Sequence, residues 1–297
     1  MNALAGTVMA DAAAHHRTFN SLIRASHKSY IDLETFLPWS DGVDRTRPPK
    51  RLDQLWVHGT PYAERLTEAQ RLETAWLETA RDVSMFIHLE HFLPFLYGGY
   101  LNDYKDDLDP KVYEYLMLFA REELTHILAF RRYMALAGLP LFGPPATWSP
   151  FTKALPSMRP EAGILATLII EWMAELAAMH GTQAAEIEPL TRRLFRAHHT
   201  EEIRHITFAK AIGAGFFESA GEAELAQVRG FLRGVISGLL AAFTYNPEIA
   251  SHTSFAFPVA SADEAAIAAV RGSDANRRLN ETRFAELFDW CRKFGVM

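Results

Sequence analysis

The sequence has only one cysteine, Cys291, so no disulfide can form within the chain and a cysteine-rich metal site is excluded. Such low cysteine usage is typical of proteins in a reducing compartment. The N-terminal stretch MNALAGTVMADAAAHHRTF has no basic segment and no apolar run of signal-peptide length. We therefore expect a cytoplasmic protein.

The sequence also lacks a basic block and an uninterrupted apolar segment. Its net charge is −6, which argues against a nucleic-acid partner. The most apolar stretch, GILATLIIEWMAELAAMHG, carries two glutamates near its centre, and charges at such positions are costly inside a bilayer. We expect no membrane partner and interpret this stretch as a buried helix of a bundle.

Strand signals are nearly absent, because few stretches alternate β-branched and polar residues between Asn-Gly or Asp-Gly turns. Helical periodicity dominates instead. Thr67 is a candidate cap for the first long helix, and the sequence YGG predicts its end. The stretch LFGPPATWSPFTKALPSMRP has too many prolines to be helical. Helices are predicted at about 12–35, 67–97, 110–137, 160–184, 189–218, 221–243, 262–271 and 275–294.

The four long helices form two hairpins with short turns, joined by a longer crossover. This order predicts an all-α four-helix bundle with one long connection. We expect a single domain over 1–297, with a four-helix metal-binding core at 67–218. Residues 1–66 and 219–297 would then supply flanking helices and loops.

The fourth long helix contains RAHHTEEIRHITF, a dense group of ionisable residues. His198, Glu202 and His205 fall within about 60° of one another around the helix, so they share one face. The second long helix repeats part of this pattern, because Glu123 and His126 form another Glu-x-x-His. Residues three apart lie side by side on a helix, and the pattern therefore predicts metal ligands.

The first and third long helices each carry a glutamate in an apolar run, Glu90 in MFIHLEHFLPF and Glu171 in LATLIIEWMAEL. Buried carboxylates are costly unless a charge compensates them, and metal cations do so. Glu90 and Glu123 are 33 residues apart and Glu171 and Glu202 are 31 apart, so all four lie about 24 Å from their turns. The carboxylates thus converge at one level.

One Glu from each of two helices and Glu-x-x-His from the other two is the arrangement of ferritin-like di-iron and di-manganese proteins. Oxygen and imidazole ligands suit iron or manganese and do not choose between them. Glu122 and Glu201 each precede a ligand glutamate and are candidates to accept the free N–H of a ligand histidine from the partner helix. Arg204 would balance the excess negative charge.

Some positions have alternatives. Glu175 lies one turn after Glu171 and is a second candidate for the ligand of the third long helix. His199 is an alternative to His198. The whole set also has an ordinary interpretation, in which these polar residues lie on solvated faces of a helical bundle.

The sequence EEIRH resembles the Asp/Glu-Glu-x-Arg-His motif of ferritin-like di-iron proteins. The additional histidine gives a His-x-x-x-Glu-x-x-His string, which resembles the arylamine N-oxygenase (p-aminobenzoate N-oxygenase-like) family. The resemblance covers about residues 65 to 245 best. It implies seven metal ligands, carried over position by position: Glu90, Glu123, His126, Glu171, His198, Glu202 and His205.

The resemblance implies a di-iron monooxygenase that uses O₂ to oxidise the nitrogen of a small, mainly aromatic amine to a hydroxylamine, nitroso or nitro product. Its cofactor would be two iron ions, with manganese as the alternative. No Gly-x-Gly-x-x-Gly follows a strand, so electrons would come from an external reductase or ferredoxin. We expect a homodimer with a role in secondary metabolism such as antibiotic biosynthesis.

Two other classes remain open from the sequence. One is another di-metal oxygenase, such as a C–H hydroxylase, a desaturase or an N-oxygenase of aliphatic amines. The other is a non-enzymatic protein for iron storage or a structural subunit. An aryl carboxylate substrate would need a cationic side chain at the end of its pocket. The candidates in the C-terminal segment are Arg271, Arg277, Arg278 and Arg283.

Overall fold

A computed structural model describes residues 12–146 and 148–297. Residues 1–11, which belong to the stretch where no signal peptide is expected, lie outside this part. The described residues form helices and contain no strand, which confirms the all-α class. The α-helices are α1 Ala12–Lys28, α2 Glu68–Asp103, α3 Pro110–Ala137, α4 Trp148–Ala154, α5 Pro160–Thr182, α6 Pro189–Ser219, α7 Glu222–Ala242, α8 Glu264–Arg271, α9 Asp274–Arg283 and α10 Ala285–Lys293.

The core is a four-helix bundle of two hairpins, in which α2 packs on α3 and α5 packs on α6. The connection from α3 to α5 is long and carries the short helix α4. Helix α1 covers α3 and α6, and α7 covers α5. This is the predicted bundle with one long connection and additional N- and C-terminal helices.

The ends of the first bundle helices are set by local hydrogen bonds. Thr67 caps α2 as predicted, because its hydroxyl accepts from the Gln70 N–H at 3.3 Å while the Gln70 side chain accepts from the Thr67 N–H at 3.0 Å. Asp109 caps α3 and is followed by Pro110 at the first helical position. Gly138 ends α3 with a φ of 60°.

Several predicted helix bounds were wrong. Helix α1 ends at Lys28 and not near 35, because the Ile31 N–H donates to Glu201 Oε1 at 2.9 Å and not to a helical carbonyl. Helix α2 continues through the YGG sequence to Asp103. The buried side chains of Tyr100 and Leu101 outweigh the cost of about 1 kcal/mol for each glycine.

The proline-rich connection is also partly helical, contrary to prediction. Pro150 lies in the first turn of α4, where the backbone N–H groups have no helical acceptor and a missing donor is tolerated. The segment predicted as one helix at 275–294 is two helices, α9 and α10, which meet at Phe284.

Within residues 12–146 and 148–297, two segments are long and apolar enough to cross a membrane by length and composition alone. One is α5, and 78% of its most apolar window is buried inside the structure. The other is Glu222–Ser251, which contains α7 and is 17% buried by the same measure. The burial of α5 agrees with its interpretation as the core helix of a bundle.

The two hairpins are in close contact where Gly163 of α5 faces Tyr100 of α2. A methyl group at Gly163 would overlap the Tyr100 hydroxyl, which donates to the Leu155 carbonyl at 2.9 Å. We expect Gly163→Ala to destabilise the protein by about 1–3 kcal/mol, since overpacking forces the ring to move. Urea unfolding measures this free energy.

The matched control is Gly98→Ala in α2, where the added methyl has no neighbour. There alanine should stabilise the helix by about 0.5–1 kcal/mol. The two substitutions are chemically identical, so a stabilising Gly163→Ala would contradict the close approach of α5 to the Tyr100 ring.

Candidate metal centre

The seven predicted ligands lie together in the middle of the bundle, on all four of its long helices. None of these side chains is more than 4% exposed. Their helices place them as follows: Glu90 on α2, Glu123 and His126 on α3, Glu171 on α5, and His198, Glu202 and His205 on α6. The ordinary interpretation of solvated faces therefore does not describe these residues.

One group of donor atoms comes from Glu90, His126, His198 and Glu202, whose ligand atoms lie within 4.8 Å of one another. His198 Nε2 is 2.9 Å from Glu90 Oε1 and 3.3 Å from Glu202 Oε1. His126 Nδ1 is also 3.3 Å from Glu202 Oε1. Imidazole and carboxylate donors around one small space are the types of ligand that iron and manganese ions take.

A second group comes from Glu123, Glu202 and His205. His205 Nδ1 is 2.9 Å from Glu123 Oε1 and 3.3 Å from Glu202 Oε1. Glu202 therefore belongs to both groups and lies between them. Glu171 faces the same space, since the charges of Glu202 and Glu123 act on its carboxyl group.

The carboxyl groups strongly oppose one another's ionisation when no cation is present. Burial raises the pKa of Glu90 to about 7. Burial, followed by the charge of Glu202, raises the pKa of Glu123 to about 7. The same causes, with the charge of Glu123 added, raise the pKa of Glu171 well above its ordinary value. These groups need positive charge nearby to be ionised at neutral pH.

Glu202 behaves differently from the other three glutamates. Burial would raise its pKa, but the charges of His205 and His198 outweigh burial and lower it to about 2. Burial likewise opposes protonation of both histidines, yet the charge of Glu202 leaves their pKa values well above the ordinary value. In the metal-free protein, the protonated imidazoles supply the positive charge that bound cations would supply to the same carboxylates.

The residues fit a pair of divalent cations. Atoms that face the shared space have no hydrogen-bond partner among the described residues: Glu90 Oε2, both oxygens of Glu123 and of Glu171, Glu202 Oε1, His126 Nδ1 and His205 Nδ1. Buried polar atoms are otherwise almost always paired, so these atoms are available as ligands. Four carboxylates also match the charge of two divalent ions. The ligand assignment itself stays a prediction.

The outer nitrogens of two histidines point to the carboxylates proposed for them. His126 Nε2 lies 2.8 Å from Glu201 Oε2, and His205 Nε2 lies 2.9 Å from Glu122 Oε2. Arg204 is 3.1 Å from a carboxylate oxygen of both glutamates. Since each Nε2 is held, the Nδ1 atoms face the shared space, and the carboxylates orient the rings.

Glu175, the alternative candidate for the ligand on α5, has contacts that the sequence pattern did not predict. It is not directed at the ligand space; its Oε2 is 3.2 Å from His198 Nδ1, and its Oε1 is 2.5 Å from His199 Nδ1. Glu175 thus orients His198 as Glu201 orients His126. The sequence did contain a signal for this contact. Glu122 and Glu201 were candidate hydrogen-bond partners for two of the three ligand histidines, so a third carboxylate was to be expected for His198.

We expect Glu175→Gln to weaken metal binding by roughly 10- to 100-fold, because His198 loses the charged group that fixes its ring. Chelator competition measures this affinity. Glu161→Gln is the control, since Glu161 is also buried on α5 but pairs with Arg159 at 2.9 Å. Equal metal affinity in the Glu175→Gln and wild-type proteins would contradict the orienting role.

Helix α2 contains an internal proline beside this centre. Pro94 lies one turn after Glu90 inside the helix. Its nitrogen carries no hydrogen, so the Glu90 carbonyl cannot accept the usual helical hydrogen bond from that residue.

Aromatic rings enclose the histidines on the side of the bundle core. The Phe86 and Phe130 rings lie 5.1 Å and 4.9 Å from the His198 ring, and Phe119 stacks on His205 at 3.6 Å. A cavity of about 370 Å³ lies on the other side of Phe86 between α2, α5 and α7, and its lining is almost entirely apolar. Its position beside Leu89 and Ile170, the neighbours of Glu90 and Glu171, makes it a candidate substrate pocket.

Comparison with known proteins gives one family. A family model described as P-aminobenzoate N-oxygenase AurF matches residues 12–295. No curated protein matches the chain.

Proposed function

Because the chain belongs to the p-aminobenzoate N-oxygenase AurF family, which confirms the resemblance drawn from its motifs, we propose that it oxidises the amino nitrogen of an aminobenzoate-type substrate. The chain is therefore an oxidoreductase of the monooxygenase class. The observation that carries the proposal is the buried cluster of four glutamates and three histidines in a family of N-oxygenases.

We propose two iron ions as the cofactor and O₂ as the co-substrate. Glu90, His126 and His198 would hold one ion, Glu123, Glu171 and His205 the other, and Glu202 both. Bound iron supplies the one-electron chemistry with O₂ that no side chain provides. The chain's own residues hold the ions in a fixed relation, orient the imidazoles and keep bulk water out.

The balance of the reaction requires an electron donor. Conversion of an amine to a hydroxylamine puts one oxygen atom of O₂ on nitrogen and releases the other as water, and this consumes two electrons and two protons. The sequence has no dinucleotide-binding motif after a strand. We therefore propose an external reductase or ferredoxin as the donor, and cytoplasmic secondary metabolism as the setting.

We also propose a homodimer that uses the outer faces of α3 and α6. Large apolar side chains are about half exposed there: Met117 at 53%, Leu124 at 53%, Leu128 at 55% and Ile203 at 49%. Such a patch favours a protein interface. Sedimentation velocity tests this, since Leu124→Glu should convert a dimer to a monomer and an unchanged mass would exclude this face.

The function is tested by reconstitution. The metal-free protein is loaded with Fe(II) or Mn(II), reduced, and exposed to ¹⁸O₂ with 4-aminobenzoate, and products are identified by mass spectrometry. The iron-loaded protein should bind two ions per chain and place ¹⁸O on nitrogen. If O₂ is consumed with no oxidation of any aromatic amine, the proposed reaction is wrong, and oxidation by the manganese form alone would overturn the iron assignment.

A further inference from the structure

A second group of charges, buried except for the half-buried Asp82, surrounds the part of α2 that lies two to three turns before Glu90. Lys50 Nζ is 3.3 Å from Glu78 and 3.0 Å from Asp82. Arg81 is 3.3 Å from Asp82 and also donates to the Ala242 carbonyl. Arg283 of α9 also belongs to this group. It has no ion pair among the described residues.

Arg283 is buried, with 7% of its surface exposed. Its Nε and Nη2 atoms have no hydrogen-bond partner in the described part of the chain. The guanidinium group lies over the rings of Trp56 at 4.7 Å and Phe284 at 4.6 Å, which hold its plane but accept no conventional hydrogen bond. A buried guanidinium with free donors is costly unless an anion binds it.

The net charge of this group also favours binding of an anion. Three cationic side chains, Lys50, Arg81 and Arg283, face two carboxyl groups, so one positive charge remains even when both are ionised. Burial raises the pKa of Glu78 to about 7, which increases the positive excess at neutral pH. Burial lowers the pKa of Arg283 only to about 10, so the guanidinium stays charged.

Arg283 lines a cavity next to the candidate substrate pocket. This cavity has a volume of about 30 Å³ and is also lined by Asp82. It is adjacent to the apolar cavity of about 370 Å³, because four residues line both: Met85, Phe86, Ala174 and Phe243. Asp82 precedes Glu90 by eight residues, or about 12 Å along α2. The apolar cavity therefore has the Arg283 cavity on one side, and its lining residues Leu89 and Ile170 are the sequence neighbours of Glu90 and Glu171.

We propose that Arg283 binds the carboxylate of the substrate and so points the amino group at the metal centre. This inference rests on the proposed function, and what it adds is the residue that recognises the carboxylate of the proposed aminobenzoate-type substrate. The planar fork of the guanidinium suits a two-point contact with a carboxylate. The apolar cavity accommodates the ring.

Binding to the metal-loaded, resting protein tests the assignment without turnover. Calorimetry compares 4-aminobenzoate with its neutral analogue 4-aminobenzamide for wild type and Arg283→Gln. We expect Arg283→Gln to weaken binding of the carboxylate by roughly 10- to 100-fold and to leave the amide unchanged. Arg278→Gln is the control, because Arg278 is exposed on the same helix and should change neither ligand.

Thermal unfolding without ligand distinguishes a binding role from a structural one. Since the free donors of Arg283 are unpaired, Arg283→Gln should unfold at or above the wild-type temperature, and 4-aminobenzoate should raise that temperature only in wild type and Arg278→Gln. Arg283→Lys keeps the charge and should bind the carboxylate with intermediate affinity. Loss of stability without ligand, combined with unchanged discrimination between carboxylate and amide, would overturn the proposal.

The two proposals fail in different experiments. If the carboxylate binds in an Arg283-dependent manner but no amine is oxidised, the binding site stands and the proposed reaction is wrong. If amines are oxidised and wild type binds the amide as tightly as the carboxylate, the reaction stands and the role of Arg283 is wrong.

Discussion

Glu202→Gln should abolish N-oxygenation and release metal from the protein. Glu202 Oε1 lies 3.3 Å from the inward nitrogens of His126, His198 and His205, so its carboxylate serves both groups of donors. Loss of an outer carboxylate typically weakens metal binding 10- to 100-fold, so loss of the shared carboxylate should reduce both affinity and activity by more than about 100-fold. Metal analysis after gel filtration and amine oxidation under O₂ measure the two effects.

Glu218→Gln is the matched control for this variant. Glu218 lies on the same helix, α6, and is exposed. Its substitution should leave metal content and activity at the wild-type level. If the Glu202→Gln protein retains two ions per chain and oxidises amines at the wild-type rate, the metal centre does not depend on the Glu202 carboxylate and the prediction is wrong.

Removal of the metal should lower the unfolding temperature strongly. Without cations the buried carboxyl groups of Glu90, Glu123 and Glu171 are ionised only at a cost, as their raised pKa values show. Each site filled at 100 times its dissociation constant stabilises the folded state by about 2.7 kcal/mol. For a chain of this size two such sites correspond to about 9 °C. Scanning calorimetry before and after chelation measures the difference.

The dependence on metal should disappear in Glu202→Gln and persist in Glu218→Gln. This comparison separates binding at the centre from unspecific effects of the chelator, because both variants lose one glutamate from α6. An unfolding temperature that stays constant while the bound metal is removed would contradict a stabilising metal centre in the bundle.

Helical spacing was sufficient to predict where the candidate ligands meet. His198, Glu202 and His205 share a face whatever surrounds them, and equal distances from the turns fix the depth of Glu90 and Glu171 in two hairpins. These are properties of the helix itself, so the structure brings the residues together as expected. The family match, which covers residues 12–295, supplies the activity, while the ligand role of each residue stays a prediction.

The features that were missed depend on tertiary contacts. Glu175 turned out to lie behind His198, which spacing along α5 alone does not determine. Helix α1 stops early because Glu201, about 170 residues away in sequence, accepts the Ile31 N–H. Among four candidate arginines in the C-terminal segment, only packing of α9 against Trp56 distinguishes Arg283. Propensity and periodicity do not contain this information.

Pro94 gives the bundle one compliant point at the depth of the ions. The other three ligand-bearing helices have proline only at their first position, so their ladders of hydrogen bonds are uninterrupted beside the ligands. The turn that carries Glu90 therefore has one hydrogen bond fewer than the corresponding turns of the opposite helices, and its backbone resists displacement less. If two ions are bound, we expect Glu90 to be the candidate ligand whose position differs most between the metal-free and the metal-loaded protein.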